Sequence, residues 1–325
     1  MASLRRFPGN PILSPLHSHT WEQEATFNGC PIIEGNTCHI VYRAQSSARN
    51  IAGKTLELST IGHAASIDRI TFTERKQLIV PDHDWEKFGC EDPRVTKIGD
   101  EYHIFYTALA DWPPTPAGIT VALATTKNFK TIDHKYQITP FNAKAMTLFP
   151  GLINGKYCAL LTINPDKPPS SMCIAYFDKL SDIWNANYWK QWRRSVGRYT
   201  IPLLRTTHDH VEVGAPPIKT KHGWLFIYCY IKSYLTSHKF FTIEAALLDG
   251  DDPTKVIGRT QEPLLYPETD YEVEGKIPNI VFPSGALIVN NNLGVYYGGA
   301  DTRICLATCP LDVLFQELLR GRASS

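Results

Sequence analysis

The sequence predicts an all-β fold, a five-bladed β-propeller with a short C-terminal helix. Three observations support this prediction. Short runs of β-branched and aromatic residues recur along the chain, tight turns separate them, and a unit built from such runs repeats five times. Aromatic and β-branched side chains fit the pleated surface of a sheet, and radial repetition of small sheets produces a propeller.

The predicted strands are short and alternate with turn-forming residues. Glu34–Asn36, Ile98–Asp100 and Ile153–Gly155 each combine Gly with Asn or with an acidic residue, a composition that is typical of hairpin turns. The clearest strand runs are Cys38–Tyr42, Tyr102–Tyr106, Gly118–Ala124, Lys156–Leu161, Gly223–Tyr228 and Asn292–Tyr297.

The repeating unit consists of an apolar strand, a tight turn and a second apolar strand that ends in tyrosine. It begins near residues 28, 90, 148, 214 and 280. A spacing of roughly fifty to sixty residues suits four-stranded blades, so five recurrences predict five blades. We expect residues 1–325 to form a single catalytic domain, in which loops from all five units converge on one small-molecule site.

Helix signals are few. Residues 181–192 are rich in aromatic side chains and are compatible with a helical turn or with a loop. Residues 310–319 predict a C-terminal helix, with Asp312 near its start and Arg320 at its end, where these charges favour a helix.

The composition is that of a globular protein, with 43% hydrophobic and 20% charged residues. The net charge is +1 without a basic block, so we expect no nucleic-acid partner. No apolar run reaches the ~18 residues of a membrane span, and the N-terminal segment lacks the apolar core of a signal peptide. We therefore expect no membrane association and a cytoplasmic location.

The eight cysteines are scattered along the chain and lack the paired spacing of a zinc site. We expect buried free thiols in a reducing compartment. His208 and His210 are one residue apart but have no defined third ligand, so we interpret them as part of a surface loop. No metal and no cofactor are predicted.

The segment Gly89-Cys-Glu-Asp-Pro-Arg94 is the strongest candidate for chemistry. The proline has no backbone donor and a fixed φ, so Asp92 is not expected in a mid-strand ladder. Arg94 can hold a carboxylate through two hydrogen bonds. The alternative explanation is a turn with a solvated ion pair.

Nine motifs in chain order place this segment in a wider pattern. They are Asn10–Leu13, Glu24–Asn28, Val41–Ala44, Gly89–Arg94, Leu148–Pro150, Gly214–Ile218, Ala246–Asp249, Pro278–Phe282 and Tyr296–Asp301. Their order, over about residues 10 to 305, resembles glycoside hydrolase family 130, the β-mannoside phosphorylases and β-1,2-mannosidases. The resemblance also implies a five-bladed propeller.

The resemblance assigns roles to individual residues. It implies that Asp92 is the catalytic acid, which in this family passes its proton through a sugar hydroxyl. It implies that Asn28, Arg43 and Asp301 hold the mannosyl ring, and we add Arg94 and Lys144 as substrate-binding residues. Without the resemblance, an ion pair between blades would explain Arg43 and Asp301 equally well.

The sequence departs from the phosphorylase pattern at several positions. Lys144 preserves one phosphate-binding cation, but Thr162 is neutral where a second Arg is expected. Phe241 stands in place of a tyrosine, and Cys229 lies where a histidine is usual. A phosphate pocket would therefore lack several of its expected contacts.

Two acids, Glu212 and Glu244, stand where the phosphorylase pattern has glycine. A carboxylate repels phosphate but can hold and deprotonate a water. An inverting hydrolase needs such a base roughly 6.5–9.5 Å from its acid. We therefore predict inverting hydrolysis of β-mannosides, with β-1,2-linked oligosaccharides as substrates. The alternative for either glutamate is a solvated residue at a strand end.

Two rival functions stay open. The first is a β-mannoside phosphorylase that uses Lys144 and other cations, with inorganic phosphate as co-substrate and mannose 1-phosphate as product. The second is a sugar-binding propeller without turnover. The expected partner is a β-mannoside oligosaccharide in each case, and the protein could also form a homo-oligomer.

Overall fold

A computed structural model describes residues 2–320, which contain twenty strands and three α-helices. The mostly-β prediction is confirmed. The six strand runs singled out in the sequence all fall within strands, apart from single residues at their ends. No helix of the described part is long and apolar enough to cross a membrane.

The strands form five antiparallel groups that follow one another along the chain. The first holds β2 (Ala25–Glu34), β3 (Thr37–Ile51), β4 (Lys54–Ser66) and β5 (Thr73–Ile79). The second holds β6 (Gly89–Ile98), β7 (Glu101–Leu109), β8 (Ile119–Thr126) and β9 (His134–Gln137). The third holds β10 (Ala143–Leu148), β11 (Tyr157–Ile163) and β12 (Ser171–Phe177). One parallel bridge, Ser59 to Gly89, joins the first two groups.

The remaining two groups complete the sheets. The fourth holds β13 (His210–Val213), β14 (Ile218–Thr220), β15 (Gly223–Lys232), β16 (Phe240–Leu248) and β17 (Val256–Arg259). The fifth holds β18 (Val281–Val289), β19 (Asn292–Gly299), β20 (Arg303–Pro310) and the N-terminal β1 (Arg5–Arg6). The predicted repeat starts all fall in or next to the first strands β2, β6, β10, β13 and β18.

The helices are short and lie outside the sheets. Helix α1 (Ala186–Arg194) follows a 3₁₀ turn, so the aromatic segment near residues 181–192 is helical. Helix α2 (Asp270–Val273) is a single turn, and α3 (Leu311–Leu318) lies where the C-terminal helix was predicted.

The hydrophobic core lies between neighbouring sheets. Buried side chains fill the spaces between the first and second, second and third, third and fourth, and fourth and fifth sheets. Ile40 and Tyr42 of the first sheet also pack against Tyr296 and Ile304 of the fifth. The sheets are thus packed in the order that a five-bladed propeller requires. The propeller, and the single domain over residues 1–325, stay predictions.

Bulges interrupt several of the first strands and turn their side chains inward. The pairing register shifts between Phe27 and Cys30 in β2 and between Glu91 and Arg94 in β6. At these bulges Asn28 and Asp92 both have φ near +52°, a left-handed conformation that Asn and Asp tolerate better than most residues. A bulge redirects a side chain that a regular strand would place on one of its two faces.

Candidate active site

One cavity of about 280 Å³ receives side chains from all five groups of strands or from the loops next to them. Six predicted site residues line it: Asn28, Arg43, Asp92, Lys144, Glu212 and Asp301. The lining has five carboxyl groups and three cationic side chains, so a fully ionised cavity would carry two more negative charges than positive.

We call one wall of the cavity the Arg43 side, which consists of Asn28, Arg43, Glu91, Asp92 and Asp301. Asn28 Nδ2 donates a hydrogen bond to Asp92 Oδ1 at 2.7 Å. The Arg43 guanidinium lies 2.6 Å from Glu91 Oε1 and 3.5 Å from Asp92 Oδ1. One guanidinium therefore faces several carboxyl groups, and its strongest contact is with Glu91.

The carboxyl groups on the Arg43 side differ in proton affinity. Burial alone would raise the pKa of Asp92, but Arg43 and the hydrogen bond from Asn28 outweigh burial and hold this pKa below its usual value. Burial raises the pKa of Asp301 to about 7, because Arg43 only partly offsets it and the charge of Asp92 adds to it. Burial also raises the pKa of Glu91.

We call a second group of lining residues the Lys144 side, which consists of Lys144, Asp166, His210, Glu212, Tyr234 and Lys239. Lys144 Nζ donates to Asp166 Oδ1 at 3.3 Å, and Asn142 Nδ2 binds the other Asp166 oxygen at 2.9 Å. The His210 ring is stacked on Tyr234 at 4.1 Å. Lys239 Nζ lies 5.5 Å from the centre of the Tyr234 ring.

Glu212 is the unpaired acid of the Lys144 side. Within residues 2–320, its carboxyl group has no hydrogen bond and no ion pair within 4.0 Å, and it borders the cavity from β13. Burial raises its pKa to about 7, although Lys144 and Arg94 lower it, and the charge of Asp92 raises it further. His210, two residues earlier on the same strand, has its pKa lowered by burial to about 4. At neutral pH its ring is therefore uncharged.

Glu244 is not part of the cavity, and its predicted role in holding water is corrected. It lies on the face of β16 that packs towards the third sheet. Both of its oxygens accept hydrogen bonds from Arg205 at 2.7 Å, and Tyr228 donates to one of them at 2.8 Å. A carboxylate that is buried and fully bonded in this way has no free lone pair directed at the cavity.

Arg94 is also corrected, from a substrate-binding residue to a structural one. It is fully buried and does not line the cavity. Its guanidinium donates to the carbonyl oxygens of Gly214, Val213 and Asp92 at 2.7, 2.7 and 2.9 Å. Arg94 therefore ties the bulge that carries Asp92 to the end of the strand that carries Glu212.

Sequence reasoning missed several lining residues. Glu91 is adjacent to Asp92, and neighbouring residues of a regular strand point to opposite faces. Only the bulge makes both line the cavity. His210 was interpreted as part of a surface loop, but it is a buried residue of β13. Tyr234 and Lys239 belong to the β15–β16 loop, and nothing in their local sequence indicates a site.

The positions that depart from the phosphorylase pattern have different surroundings. Phe241 lines the cavity, whereas Cys229 is buried and pairs with Glu212 across the sheet. Thr162 is buried, and its hydroxyl accepts a hydrogen bond from the Val213 backbone at 2.9 Å. Thr162 thus supports β13 and is not among the residues that line the cavity.

Comparison with known proteins decides the family. A family model described as beta-1,4-mannooligosaccharide phosphorylase matches residues 3–319. The chain belongs to glycoside hydrolase family 130. This family consists of enzymes that act on mannosides, so the resemblance seen in the sequence is confirmed.

Individual relatives cover nearly the whole chain. A beta-1,2-mannobiose phosphorylase of Thermoanaerobacter is 35% identical in an alignment 318 residues long, which covers 94% of this chain and 97% of the relative. A 1,2-beta-oligomannan phosphorylase of the same organism is 34% identical over 94% of this chain and 97% of its own length. The structure of the beta-1,2-mannobiose phosphorylase from Listeria innocua in complex with beta-1,2-mannobiose has a TM-score of 0.81 and 27% identity, covering 97% of this chain and 99% of that chain.

Proposed function

We propose that this protein cleaves β-1,2-linked mannosides by transferring the terminal mannosyl unit to inorganic phosphate. Full-length similarity to two phosphorylases of such mannosides carries the proposal. It replaces hydrolysis, predicted from the sequence, as the first candidate. The family model is described with a β-1,4 linkage, so the linkage is part of what must be tested.

The Arg43 side would hold the mannosyl ring. Carboxylates and a guanidinium match the hydroxyl groups of a sugar, and partners that are already fixed impose an orientation. Glu91 and Arg43 hold each other at 2.6 Å, and Ser59 binds both of them at 3.1 and 3.0 Å. Asp301 has no hydrogen bond within the described residues, so its carboxyl group is free to bind a hydroxyl.

Asp92 would supply the proton to the leaving oxygen. In the free cavity its low pKa keeps it ionised, while Glu212 and Asp301 have pKa values of about 7. The proton must therefore reach Asp92 when the substrate binds. A sugar ring that displaces water from the cavity would desolvate Asp92, and desolvation favours the protonated form of a carboxyl group.

The Lys144 side would hold the phosphate. Lys144 and Lys239 are the cations there, and the uncharged His210 ring can donate or accept a hydrogen bond. A phosphate oxygen attacks the anomeric carbon, the bond to the leaving oxygen breaks, and that oxygen takes the proton from Asp92. The products are mannose 1-phosphate and a mannoside shortened by one unit.

Hydrolysis is the second candidate because Glu212 borders the cavity without a partner. An ionised Glu212 can accept a proton from water, and its charge disfavours phosphate. Since Arg205 engages Glu244, Glu244 would not share this role with Glu212.

Product analysis tests the proposed function. The protein is incubated with β-1,2-mannobiose or β-1,4-mannobiose at pH 6, with and without phosphate. We expect mannose 1-phosphate from the β-1,2 substrate only when phosphate is present. Mannose as the only monosaccharide product, at a rate that phosphate does not change, would establish hydrolysis instead. Binding of mannobiose without any product would indicate a sugar-binding protein.

A further inference from the structure

Glu212 is an acid of the Lys144 side that is close enough to the cation Lys144 and to the carboxyl group of Asp92 to be influenced by both charges. It lies on the short strand β13, whose end is tied to the Asp92 bulge by Arg94. Its carboxyl group borders the cavity and has no partner within residues 2–320. A half-buried acid without a partner is expected to bind either a proton or a ligand.

Charged and titratable groups surround Glu212 on several elements. They are Lys144 on β10, Asp92 and Arg94 on β6, Asp166 after β11, His210 on β13 itself, Cys229 on β15, Tyr234 in the β15–β16 loop and Asp301 after β19. Lys144 already forms an ion pair with Asp166 at 3.3 Å. Glu212 would therefore share this cation with another acid. Arg94 also lowers the pKa of Glu212, but its guanidinium donates to three backbone carbonyl groups. Neither Lys144 nor Arg94 therefore forms a direct ion pair with Glu212.

We propose that Glu212 selects the acceptor: in its protonated form the cavity admits phosphate, and in its ionised form it admits water. This inference rests on the proposed cleavage of β-mannosides. A protonated carboxyl can donate a hydrogen bond to a phosphate oxygen, whereas a carboxylate repels the anion and can orient a water. The protein is therefore a phosphorylase with a hydrolytic side reaction that grows as the pH rises.

The two reactions share the same bond cleavage. In phosphorolysis, a phosphate oxygen forms the new bond to the anomeric carbon, and the leaving oxygen takes the proton from Asp92. In hydrolysis, the water oxygen forms that bond, one water proton passes to Glu212, and the leaving oxygen again takes the proton from Asp92. Exchange with solvent then returns Glu212 and Asp92 to their starting states. Because Asp92 serves both acceptors, its titration cancels in the ratio of the two products.

Phosphorolysis of β-1,2-mannobiose releases one mannose with each mannose 1-phosphate, so attack by water is counted as half of the mannose formed in excess of mannose 1-phosphate. The ratio of mannose 1-phosphate to this hydrolytic turnover, at constant phosphate, therefore reports on Glu212. With a pKa of about 7, the ratio of protonated to ionised Glu212 falls about a hundredfold between pH 6 and pH 8. We expect the product ratio of the wild type to fall by at least about tenfold over this range. Phosphate also titrates near neutral pH, so a variant without the Glu212 charge is needed as a reference.

The decisive experiment measures this ratio in the wild type, Glu212→Gln, Glu212→Ala and Glu244→Gln at pH 6, 7 and 8. Both Glu212 variants should favour phosphate at every pH and exceed the wild-type ratio at pH 8 by at least about tenfold. Glu244→Gln should follow the wild type. Thermal unfolding establishes that each variant is folded, and the second Glu212 variant replaces the first if that one does not fold.

Two outcomes would overturn the inference. If the product ratio changes with pH equally in the wild type and in the Glu212 variants, the change comes from phosphate and Glu212 selects nothing. If both Glu212 variants no longer form mannose 1-phosphate but still hydrolyse the substrate, Glu212 assists phosphate binding and does not control the attack by water. A complete absence of mannose 1-phosphate from the wild type at every pH would instead overturn the proposed phosphorolysis itself.

Discussion

The two sides of the cavity differ in how their acidic side chains are held. On the Arg43 side, Asn28, Arg43 and Ser59 hold Glu91 and Asp92 through contacts of 2.6–3.5 Å. On the Lys144 side, Lys144 and Asn142 hold Asp166, while Glu212 and the Nδ1 atom of His210 have no partner within residues 2–320. The Asp301 carboxyl group and Asn28 Oδ1 are also without a hydrogen bond within residues 2–320. The Arg43 side therefore combines a fixed pair of acids with free groups that suit a sugar ring, whereas the free acid of the Lys144 side suits an acceptor that must enter and leave.

The largest expected effect comes from removing the acid of the Arg43 side. Asp92→Asn keeps the shape and the hydrogen bond from Asn28 but cannot donate the proton. We expect kcat to fall by about 10²–10⁴-fold, which is the usual contribution of general acid catalysis. Steady-state kinetics on β-1,2-mannobiose measures the loss, and Asp100→Asn, at an exposed turn, is the control. A loss below tenfold would show that the proton comes from another group.

The next effect tests how strictly the Arg43 side is organised. Arg43→Lys keeps the charge, but a lysine cannot contact Glu91, Asp92 and Ser59 together. Loss of charged hydrogen bonds should lower kcat/KM by about tenfold to a hundredfold. Kinetics with increasing mannobiose separates a change in KM from a change in kcat. Wild-type kcat/KM would mean that the ring does not bind at this wall.

The next prediction concerns Glu244, which lies outside the cavity and serves as a comparison for Glu212 at its border. Glu244→Gln should lower the free energy of unfolding by about 1–3 kcal/mol, because it weakens a buried contact with Arg205. Its kcat should stay within about fivefold of the wild type, since Glu244 lies outside the cavity. Urea unfolding and kinetics measure the two quantities. A large loss of kcat in a stably folded Glu244→Gln variant would show that Glu244 acts in the active site.

The smallest effect concerns stability on the Lys144 side. The pKa of Glu212 is raised from 4.5 to about 7, so the folded state binds this proton more tightly than the unfolded state. The resulting stabilisation is complete below pH 4.5 and is lost as the pH rises towards 7. It amounts to about 1–3 kcal/mol. Glu212→Gln should therefore lose less stability than the wild type between pH 5 and pH 8, measured by urea unfolding. An equal loss in both proteins would contradict the raised pKa.

The sequence predicted the strands, the repeat and the C-terminal helix because these depend on local patterns of apolar and turn-forming residues. It also predicted six cavity residues: Asn28, Arg43, Asp92 and Asp301 lie within continuous motifs, and Lys144 and Glu212 lie a few residues before one. It failed at Glu244 since a short motif gives a position along a strand but not the face of the sheet. It failed at Arg94 for a related reason: two of the three carbonyl groups that Arg94 binds are about 120 residues away.

The residues that sequence reasoning missed share a physical cause. Glu91 lines the cavity because a bulge breaks the alternation of β6. Tyr234 and Lys239 lie in the loop between β15 and β16, where no periodicity constrains the direction of a side chain. The Lys144 side depends on loops and tertiary contacts more than the Arg43 side does, so it was the harder half to predict.

The most direct test of a two-sided cavity is a crystal structure of Asp92→Asn with β-1,2-mannobiose and phosphate. The account predicts that the terminal mannosyl ring lies against Asn28, Arg43 and Asp301, with its anomeric carbon facing Lys144 and Glu212 and the phosphate between them. A mannosyl ring bound on the Lys144 side, or outside this cavity, would contradict it.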